Sequence, residues 1–329
     1  MNFQSFFCKF FTLYSGTIFL VTCQFIPSQR YLQTSIIVNE TKWYFFGGNI
    51  GNGETDTNEV FYLKLSKSFN TNSPSWVKDQ IGSPLTNILS ASCITADNSS
   101  IFIIGGVMLD PATQNFVPNQ PAVYKYSLNN SNWEAPNITG IDNFANCGGL
   151  QSINDNTGRI FLYGGMLNFS EVCNRMSIFD INNMSWLTIN LSTSRIGYTA
   201  TLHKSGNITY IGGRLTSIYS SYISMNEIQI FDTNSLSWHN VTASGDYIDI
   251  RAFHTAVLIR DSKILIFGGS ITNLAIISKP ELATLDTNIY PFKWAALYAD
   301  NSTAAPSTSL TSHSALLYDD FMVIAFGLL

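Results

Sequence analysis

Charged residues are scarce in this chain. Only 12% of its 329 residues are Asp, Glu, Lys or Arg, and the formal net charge is −5 at pH 7. The sequence contains no basic run and no stripe of alternating basic and aromatic residues, which a protein needs in order to neutralise phosphates. We therefore expect no nucleic-acid partner. The composition does not shift along the chain, which predicts one domain that is large enough to bury a core.

The motifs of common catalytic sites are also missing. The four histidines, His203, His239, His254 and His313, form no His-x-His or His-x-x-x-His pair, and the cysteines lack the spacing of a zinc site. There is no Gly-x-Ser-x-Gly elbow, and no Lys-Ser/Thr follows the glycine-rich stretch 47–53 as a phosphate loop requires. We therefore predict no catalytic residue, no metal site, no cofactor and no enzymatic activity.

Long apolar runs are absent except at the start of the chain. Residues 1–23 combine Lys9, an apolar stretch over 10–21 and small residues before Gln24, which predicts a signal peptide, with a signal anchor as the alternative. Export agrees with ten Asn-x-Ser/Thr glycosylation candidates. These are Asn39, Asn98, Asn129, Asn137, Asn168, Asn183, Asn190, Asn207, Asn240 and Asn301. We expect a secreted or cell-surface glycoprotein that meets a membrane only through such an anchor or through a missing C-terminal segment.

Three cysteines remain after the predicted cleavage, so at least one of them has no partner within the monomer. Cys93 lies in an apolar run and is predicted to be a buried free thiol. A bridge between Cys147 and Cys173 within one repeat is a candidate pairing, and the sequence leaves the pairing of the three cysteines open.

One pattern recurs about every 50 residues. An apolar, strand-forming run ends in a glycine pair, and a lone Trp follows. Glycine there permits a positive φ and the close approach of another backbone. The pairs are Gly47-Gly48, Gly105-Gly106, Gly164-Gly165, Gly212-Gly213 and Gly268-Gly269, with Trp76, Trp133, Trp186, Trp238 and Trp294 after them. A sixth copy, Ala325-Phe326-Gly327, is read as lacking the second glycine, because Leu328 follows.

Further signals recur in phase with the glycines. Arg30, Arg195 and Arg251 each lie seventeen positions before the first glycine of their pair, and that position holds Ile88 and Cys147 in the second and third copies. Small or polar residues follow, which suits an inner strand where sheets crowd around an axis. An Asp-ended run such as Ile230-Phe231-Asp232 precedes each Trp in the later copies. Each repeat is therefore interpreted as four strands: an inner strand, a glycine-pair strand, an Asp-ended strand and a Trp strand.

This order of Arg-x-x-His, apolar-Gly-Gly, apolar-aromatic-Asp and Trp resembles the kelch repeat over nearly all of residues 25–329. The resemblance implies an all-β, kelch-type β-propeller over 24–329, with five four-stranded blades and an incomplete sixth. The blades are expected near 28–80, 86–137, 145–190, 193–242 and 249–296, with a partial blade at 308–329. We expect a truncated chain or gene model, with a strand-exchanged dimer as the alternative.

The resemblance also extends to the propeller of galactose-oxidase-like proteins, so the two functions that it implies differ in class. Kelch propellers are mostly protein-interaction modules, and we predict a non-catalytic scaffold for a protein or glycan partner. The alternative is a copper-radical oxidase, which needs two imidazole ligands. His254 and His313 fall in the repeat motif instead, and we interpret them as hydrogen-bonded inner-strand side chains. A structural component with no discrete ligand is a third alternative.

The predicted binding residues lie where loops surround one end of a rigid body. Arg30, Arg195 and Arg251 should ring one end of the channel, where arginines grip acidic groups in proteins that resemble this one. The alternative is that each arginine braces neighbouring backbone. Three long loops cover 49–59, 107–122 and 214–227, and the last carries Tyr219 and Tyr222 among serines, a composition suited to contact.

Overall fold

A computed structural model gives the fold of most of the chain. It describes residues 24–51, 55–65, 71–142, 145–155, 157–167, 171–215, 221–271, 276–298 and 310–328. Over these ranges the structure is all-β, and the single helical element is a three-residue 3-10 turn at Arg260–Ser262. None of the helical structure in these ranges has the length and apolarity that crossing a membrane requires. The predicted signal peptide at 1–23 lies outside the described residues.

Five sheets each contain four antiparallel strands in chain order, and a two-stranded sheet follows them. The first sheet consists of Thr34–Val38, Lys42–Phe46, Val60–Lys64 and Trp76–Lys78. The second consists of Ala91–Ile94, Ser100–Ile104, Val123–Ser127 and Asn132–Glu134. The third consists of Ser152–Asn154, Arg159–Tyr163, Arg175–Asp180 and Ser185–Asn190.

The fourth sheet consists of Thr199–Leu202, Asn207–Ile211, Glu227–Asp232 and Ser237–Thr242. The fifth consists of Thr255–Ile259, Lys263–Phe267, Leu282–Asp286 and Lys293–Leu297, and Ser244–Gly245 adds a short parallel strand at its outer edge. The sixth sheet is a hairpin of Ser314–Tyr318 and Phe321–Ala325. The four strands predicted for each repeat are therefore the strands that form, and the predicted all-β class is confirmed.

The inner strands close into a ring. Each of the six inner strands contacts the next one along the chain, and the last, Ser314–Tyr318, contacts the first, Thr34–Val38. A side-chain hydrogen bond crosses every junction. Thr34 donates to Ser92, Ser152 to the Ser92 carbonyl, and Gln33 to Ser314, while the Ala200 amide donates to Gln151. Thr199 bonds to His254 and Thr255 to His313 across the remaining two.

Six backbone hydrogen bonds follow the same circle at the start of the inner strands. Each amide donates to the carbonyl of its counterpart in the neighbouring repeat at 2.7–3.2 Å, and the sequence of donors returns to its starting point. The six residues are Leu32, Leu89, Gly149, Gly197, Phe253 and Ser312. All six have a positive φ, between 53° and 71°. We call this set the backbone ring. It shows that the first and sixth repeats meet directly.

The glycine pairs have the role that the sequence predicted. The first glycine of each full pair has a φ of 61–69°, and a Cβ there would lie 2.1–3.0 Å from backbone oxygen of the next repeat. The second glycine donates its amide to that neighbouring repeat, as Gly48 does to the Asn87 carbonyl. Positive φ and close backbone approach together explain why these positions need glycine.

The structure corrects two assignments of repeat phase. In the sixth copy, Gly327 donates to the Arg30 carbonyl as the second glycines do, and Phe326, with a φ of 62°, occupies the first position. The glycine lost from that copy is therefore the first one and not the second. In the second copy the residue equivalent to arginine is Asn87 and not Ile88, because the Asn87 carbonyl accepts from Gly48. Each of these two assignments is wrong by one residue. The segment from the motif position to the glycine turn is one residue longer in the second copy and one residue shorter in the sixth.

The core lies between adjacent sheets. One cluster joins the fourth and fifth sheets through residues such as Ile228, Ile230, Leu285 and Trp294. Another joins the sixth sheet to the first, where the Phe326 ring lies 5.2 Å from Phe45 and 5.5 Å from Trp76. Each of the first four sheets therefore buries both of its faces, which explains strands without polar alternation.

Candidate functional site

The glycine pairs and the backbone ring lie at the same end of the propeller. The long connections between the second and third strands of each sheet lie at that end too. We call it the motif end. The first two of these connections bond to each other: the Asp56 amide donates to the Gln114 side-chain oxygen, and the Gln114 amide group donates to the Asp56 carbonyl, both at 3.1 Å. Phe116 and Leu215, on the second and fourth connections, are 59% and 44% exposed.

Tyr222 is half-buried, and its backbone forms an isolated antiparallel β-bridge with that of Arg214. Tyr219, the other predicted contact residue of that loop, lies outside the described residues. The motif end therefore presents two exposed apolar side chains on connections that a rigid body holds in place.

The three repeat arginines are buried at this end. Arg30, Arg195 and Arg251 are 1%, 3% and 0% exposed. Each donates an Nη1 hydrogen bond to the carbonyl of the first glycine seventeen residues later, at 2.9 Å, 3.3 Å and 2.9 Å. The other guanidinium nitrogen reaches the start of the third strand, at the Glu59 carboxylate, the Glu227 carbonyl and the Pro280 carbonyl respectively. Each arginine thus ties the glycine turn to the next strand of its own sheet.

Burial also affects the pKa of these groups. Desolvation lowers the pKa of all three guanidinium groups, and it lowers the pKa of Arg251 to about 10. The contacts are those of the bracing alternative. The geometry does not support a grip on an acidic partner, because the fork atoms of Arg251 are already bonded to Gly268 and Pro280 and are shielded from solvent.

A disulfide takes the place of the arginine in the third repeat. Cys147 is bonded to Cys173, with Cα atoms 6.4 Å apart, so the candidate pairing is confirmed. The Cys147 carbonyl accepts from Gly106 as the Arg195 carbonyl accepts from Gly165, and Cys173 lies two residues before the third strand. The covalent bond therefore joins the two places that an arginine joins in the first, fourth and fifth repeats.

The backbone ring surrounds the entrance to an axial cavity of about 130 Å³. Its lining includes Leu32, Gln33, His254, Ser312 and His313. Within the described part of the chain, three buried polar atoms of these residues have no hydrogen-bond partner: Gln33 Oε1, His254 Nδ1 and Ser312 Oγ. The cavity has room for about four waters, given roughly 30 Å³ for each. It can therefore accept polar groups from solvent or from a partner.

Both histidines of the cavity favour the neutral form. Burial lowers the pKa of His313 to about 4. Burial, helped by Arg251 and His313, lowers the pKa of His254 well below its usual value. Each Nε2 is bonded to the threonine of the neighbouring inner strand, at 3.1 Å for His254 and 2.6 Å for His313. The prediction that these are hydrogen-bonded inner-strand side chains holds for Nε2.

The described residues do not bring together the ligands of a copper site. His203 bonds to Thr209 within its own sheet, and His239 is exposed on the outer strand of the fourth sheet. Nowhere in the described ranges do three or more His, Cys, Asp or Glu side chains form a group that could hold a metal ion. Cys93 is fully buried and free, as expected, and desolvation raises its pKa.

The remaining predicted residues lie away from the motif end or on its structural frame. Each of the five tryptophans lies on an outer strand opposite a third-strand residue. Gln33 and Ser312 were not predicted as cavity residues. The available signal was their position, three and two residues after the position that holds arginine in the first, fourth and fifth repeats. Six glycosylation candidates are exposed: Asn39, Asn129, Asn137, Asn183, Asn190 and Asn240. Asn98 and Asn207 are half-buried, and Asn168 and Asn301 lie outside the described residues.

Comparison with known proteins agrees with this geometry. The model of the KLHDC2/KLHL20/DRC7 Kelch-repeats domain matches residues 9–213, which is more than half of the chain. Kelch domain-containing protein 3 from Rattus norvegicus is 28% identical over 115 residues, covering 33% of this chain and 28% of that protein. Its counterpart from Homo sapiens is 26% identical over 115 residues, with the same coverage.

A longer match is to acyl-CoA-binding domain-containing protein 5 from Arabidopsis thaliana, which is 23% identical over 258 residues, 74% of this chain and 36% of that protein. The chain spans between about a quarter and about a third of the length of these relatives. Together with the repeated four-stranded sheets, the family match shows that this chain belongs to the KLHDC2/KLHL20/DRC7 Kelch-repeats domain family and is a kelch-type β-propeller.

Proposed function

We propose that this protein is a non-catalytic interaction scaffold that binds a protein partner at its motif end. The observation that carries the proposal is the exposed apolar pair Phe116 and Leu215 on connections that surround a cavity, where three polar atoms have no partner among the described residues. Exposed apolar side chains around a polar recess are typical of a recognition surface, because they supply buried area while the recess supplies orientation. Membership of a kelch family supports the same function.

The chemistry of this end suits a neutral partner segment better than an acidic one. The three arginines are bonded within their own sheets, and the two cavity histidines favour the neutral form. A partner that inserts a backbone amide or a hydroxyl group would satisfy Gln33 and Ser312 without burying an unpaired charge.

We also propose that the protein works outside the reducing compartments of the cell. The Cys147–Cys173 bridge supports this, because disulfides persist in oxidising environments, and the six exposed glycosylation candidates agree. Sequencing the N-terminus of protein purified from its native cells tests the proposal. A start at Gln24 supports cleavage of residues 1–23, and an intact N-terminus in a reducing compartment contradicts it.

The binding proposal is tested by comparing complexes purified with three forms of the full chain. These are the wild type, the double variant Phe116→Ala/Leu215→Ala and the control Ile289→Ala, which removes a 46% exposed side chain from the turn at the opposite end. We expect one partner to copurify with the wild type and the control and to be reduced at least tenfold with the double variant. Equal recovery with all three forms would place binding elsewhere.

A further inference from the structure

The outer strands of the first five sheets differ in length. Those of the first and second sheets, Trp76–Lys78 and Asn132–Glu134, have three residues each. Those of the third and fourth, Ser185–Asn190 and Ser237–Thr242, have six residues each. An outer strand presents amides and carbonyls that a strand of another chain can pair with. The third and fourth sheets therefore offer the longer edges for such pairing.

The outer strand of the fifth sheet is covered by the chain itself. Ser244–Gly245 pairs with it in parallel. The Asp246 amide then donates to the Trp294 carbonyl at 3.1 Å, and the Ala296 amide donates to the Asp246 carboxylate at 2.9 Å. These bonds occupy groups that would otherwise face solvent, which is one way in which proteins protect a sheet edge.

The outer strands of the third and fourth sheets have less cover. In the third sheet, Thr139 covers only the start of the strand, where its carbonyl accepts from the Trp186 amide at 2.8 Å. In the fourth sheet, no backbone group of the described residues outside that sheet bonds to Ser237–Thr242. The open edges are therefore residues 187–190 and the whole of 237–242.

Charge, which commonly keeps edges apart, is also missing from these two strands. The outer strands of the first, second and fifth sheets each carry a charged residue, namely Lys78, Glu134 and Lys293. Those of the third and fourth contain no Asp, Glu, Lys, Arg, Pro or Gly, and Leu187 is 53% exposed. Six-residue segments of strand-forming residues without charge or proline are prone to pair with copies of themselves.

The same two strands are the ones that contain a glycosylation triplet. Asn190 ends the outer strand of the third sheet, and Asn240 lies within that of the fourth, whereas the other three outer strands contain no such triplet. Both asparagines are exposed, and in the described part of the chain neither side-chain amide has a hydrogen-bond partner. By contrast, the amide of the turn residue Asn183 donates to Asp180 at 2.8 Å.

We propose that N-linked glycans on Asn190 and Asn240 protect the outer edges of the third and fourth sheets from pairing with a second copy of this chain. This role rests on the proposed location of the protein outside the reducing compartments. Paired strands must approach to about 4.8 Å, and a hydrated oligosaccharide attached to the edge strand prevents that approach. The glycan thus takes the place of the charge and the cover that the other outer strands have.

The modification needs a sugar donor from the cell, which is an oligosaccharide linked to a lipid through a diphosphate. A bond forms between Nδ2 of the asparagine and C1 of the first sugar, and the bond from C1 to the phosphate oxygen breaks. The lipid diphosphate leaves with the electron pair of that bond, and Nδ2 loses one proton to the leaving group or to solvent. The product is an asparagine-linked glycan on an exposed side chain.

Occupancy of the two sites is measured on the full chain exported by a eukaryotic host. The glycans are removed by an amidase in heavy-oxygen water, which converts each glycosylated asparagine to a labelled aspartate, and peptides are identified by mass spectrometry. We expect the label at both Asn190 and Asn240. Absence of the label at both positions would overturn the proposal.

The protective role is tested with two double variants that each lose two triplets. Ser192→Ala/Thr242→Ala, the edge variant, removes the triplets of the two outer strands at exposed positions. Thr41→Ala/Asn129→Gln, the turn variant, removes those that begin at Asn39 and Asn129 at the opposite end. We expect unchanged melting temperatures, with the edge variant associating at a roughly tenfold lower concentration than the wild type or the turn variant in analytical ultracentrifugation.

Lysine substitutions in the edge variant separate edge protection from general solubility. Leu187→Lys/His239→Lys adds charge to the two exposed edges, and should restore the monomer without any glycan there. Leu236→Lys/Ile289→Lys, at turn positions that are 38% and 46% exposed, adds the same charge elsewhere and should not restore it. If the edge variant is not exported, the export of these two quadruple variants supplies the same comparison.

Two further results would overturn the proposal. One is equal association of the edge and turn variants, and the other is equal rescue by the two lysine pairs. Native protein that starts at Gln24 but lacks glycans at Asn190 and Asn240 would refute edge protection and leave the extracellular proposal standing. Residues 1–23 retained in a reducing compartment would refute the extracellular proposal instead.

Discussion

Replacement of Arg251 by Met tests whether the repeat arginines act as braces. The guanidinium of Arg251 is fully buried and donates to the carbonyls of Asp249, Gly268 and Pro280 at 3.1 Å, 2.9 Å and 2.8 Å. Met has similar length but no donor, so Arg251→Met leaves these carbonyls without the charged donor. We expect the free energy of unfolding to fall by about 3 to 5 kcal/mol, because three carbonyl groups lose their donor and each buried acceptor left unsatisfied costs about 1 to 3 kcal/mol.

The assay is urea denaturation followed by tryptophan fluorescence, with Arg260→Met as the matched control. Arg260 belongs to the same repeat but is 84% exposed, and its partner Asp320 is 67% exposed. Its loss should change stability by less than about 1 kcal/mol. If Arg251→Met stays within about 1 kcal/mol of the wild type and loses only partner binding, the bracing interpretation is wrong and the arginine is a contact residue.

Three further predictions address the other parts of the frame. Cys147→Ala/Cys173→Ala should lower stability by about 3 to 4 kcal/mol in urea denaturation, from the entropy of a 26-residue loop, and a loss below about 1 kcal/mol would show that the bridge does not brace the third repeat. Because the folded pKa of His313 is about 4 and lies below the unfolded value, stability present above pH 6.5 should fall as the pH drops towards 4, by on the order of 2 kcal/mol between pH 7 and 5. His313→Gln should remove this share and make the profile shallower in melts across pH, with the remaining slope due to His254, and an unchanged slope would contradict the assignment. Gly105→Ala places a Cβ 2.3 Å from the Cys147 oxygen at a φ of 61° and should cost at least ~3 kcal/mol, whereas Gly51→Ala, with a φ of 74° and open space, should cost about 1 kcal/mol; equal melting temperatures for the two would refute close approach as the reason for glycine.

Much of the fold could be predicted from the sequence because the same motif recurs in six repeats. Periodic glycine pairs, short apolar runs and following tryptophans constrain each repeat independently, so a degenerate copy is interpreted from its neighbours. The hairpin of the sixth copy, Ser314–Tyr318 and Phe321–Ala325, follows from this periodicity although its first glycine is replaced by Phe326. Positive φ at the glycine pairs follows from the same reasoning.

The site was harder to predict because the position of a residue within the repeat does not determine whether its side chain is exposed to solvent. Arginine at the motif position fits either a contact residue or a brace, and only the bonds of Arg251 to Gly268 and Pro280 separate the two. The identity of Asn87 as the second-copy equivalent depends on a hydrogen bond between repeats, which sequence spacing misplaces by one residue. The exchange of an arginine for the Cys147–Cys173 bridge has no local signal, because a disulfide depends on three-dimensional proximity.

The backbone ring closes the hub between the first and sixth repeats, and the proposed binding at the motif end depends on this rigid body. Amide hydrogen exchange measures this closure directly at Leu32, Leu89, Gly149, Gly197, Phe253 and Ser312. We expect all six amides to be protected to a similar degree, since each donates within one closed circle. Rapid exchange at Leu32 and Ser312, with the other four amides still protected, would show that the ring is open between the first and sixth repeats.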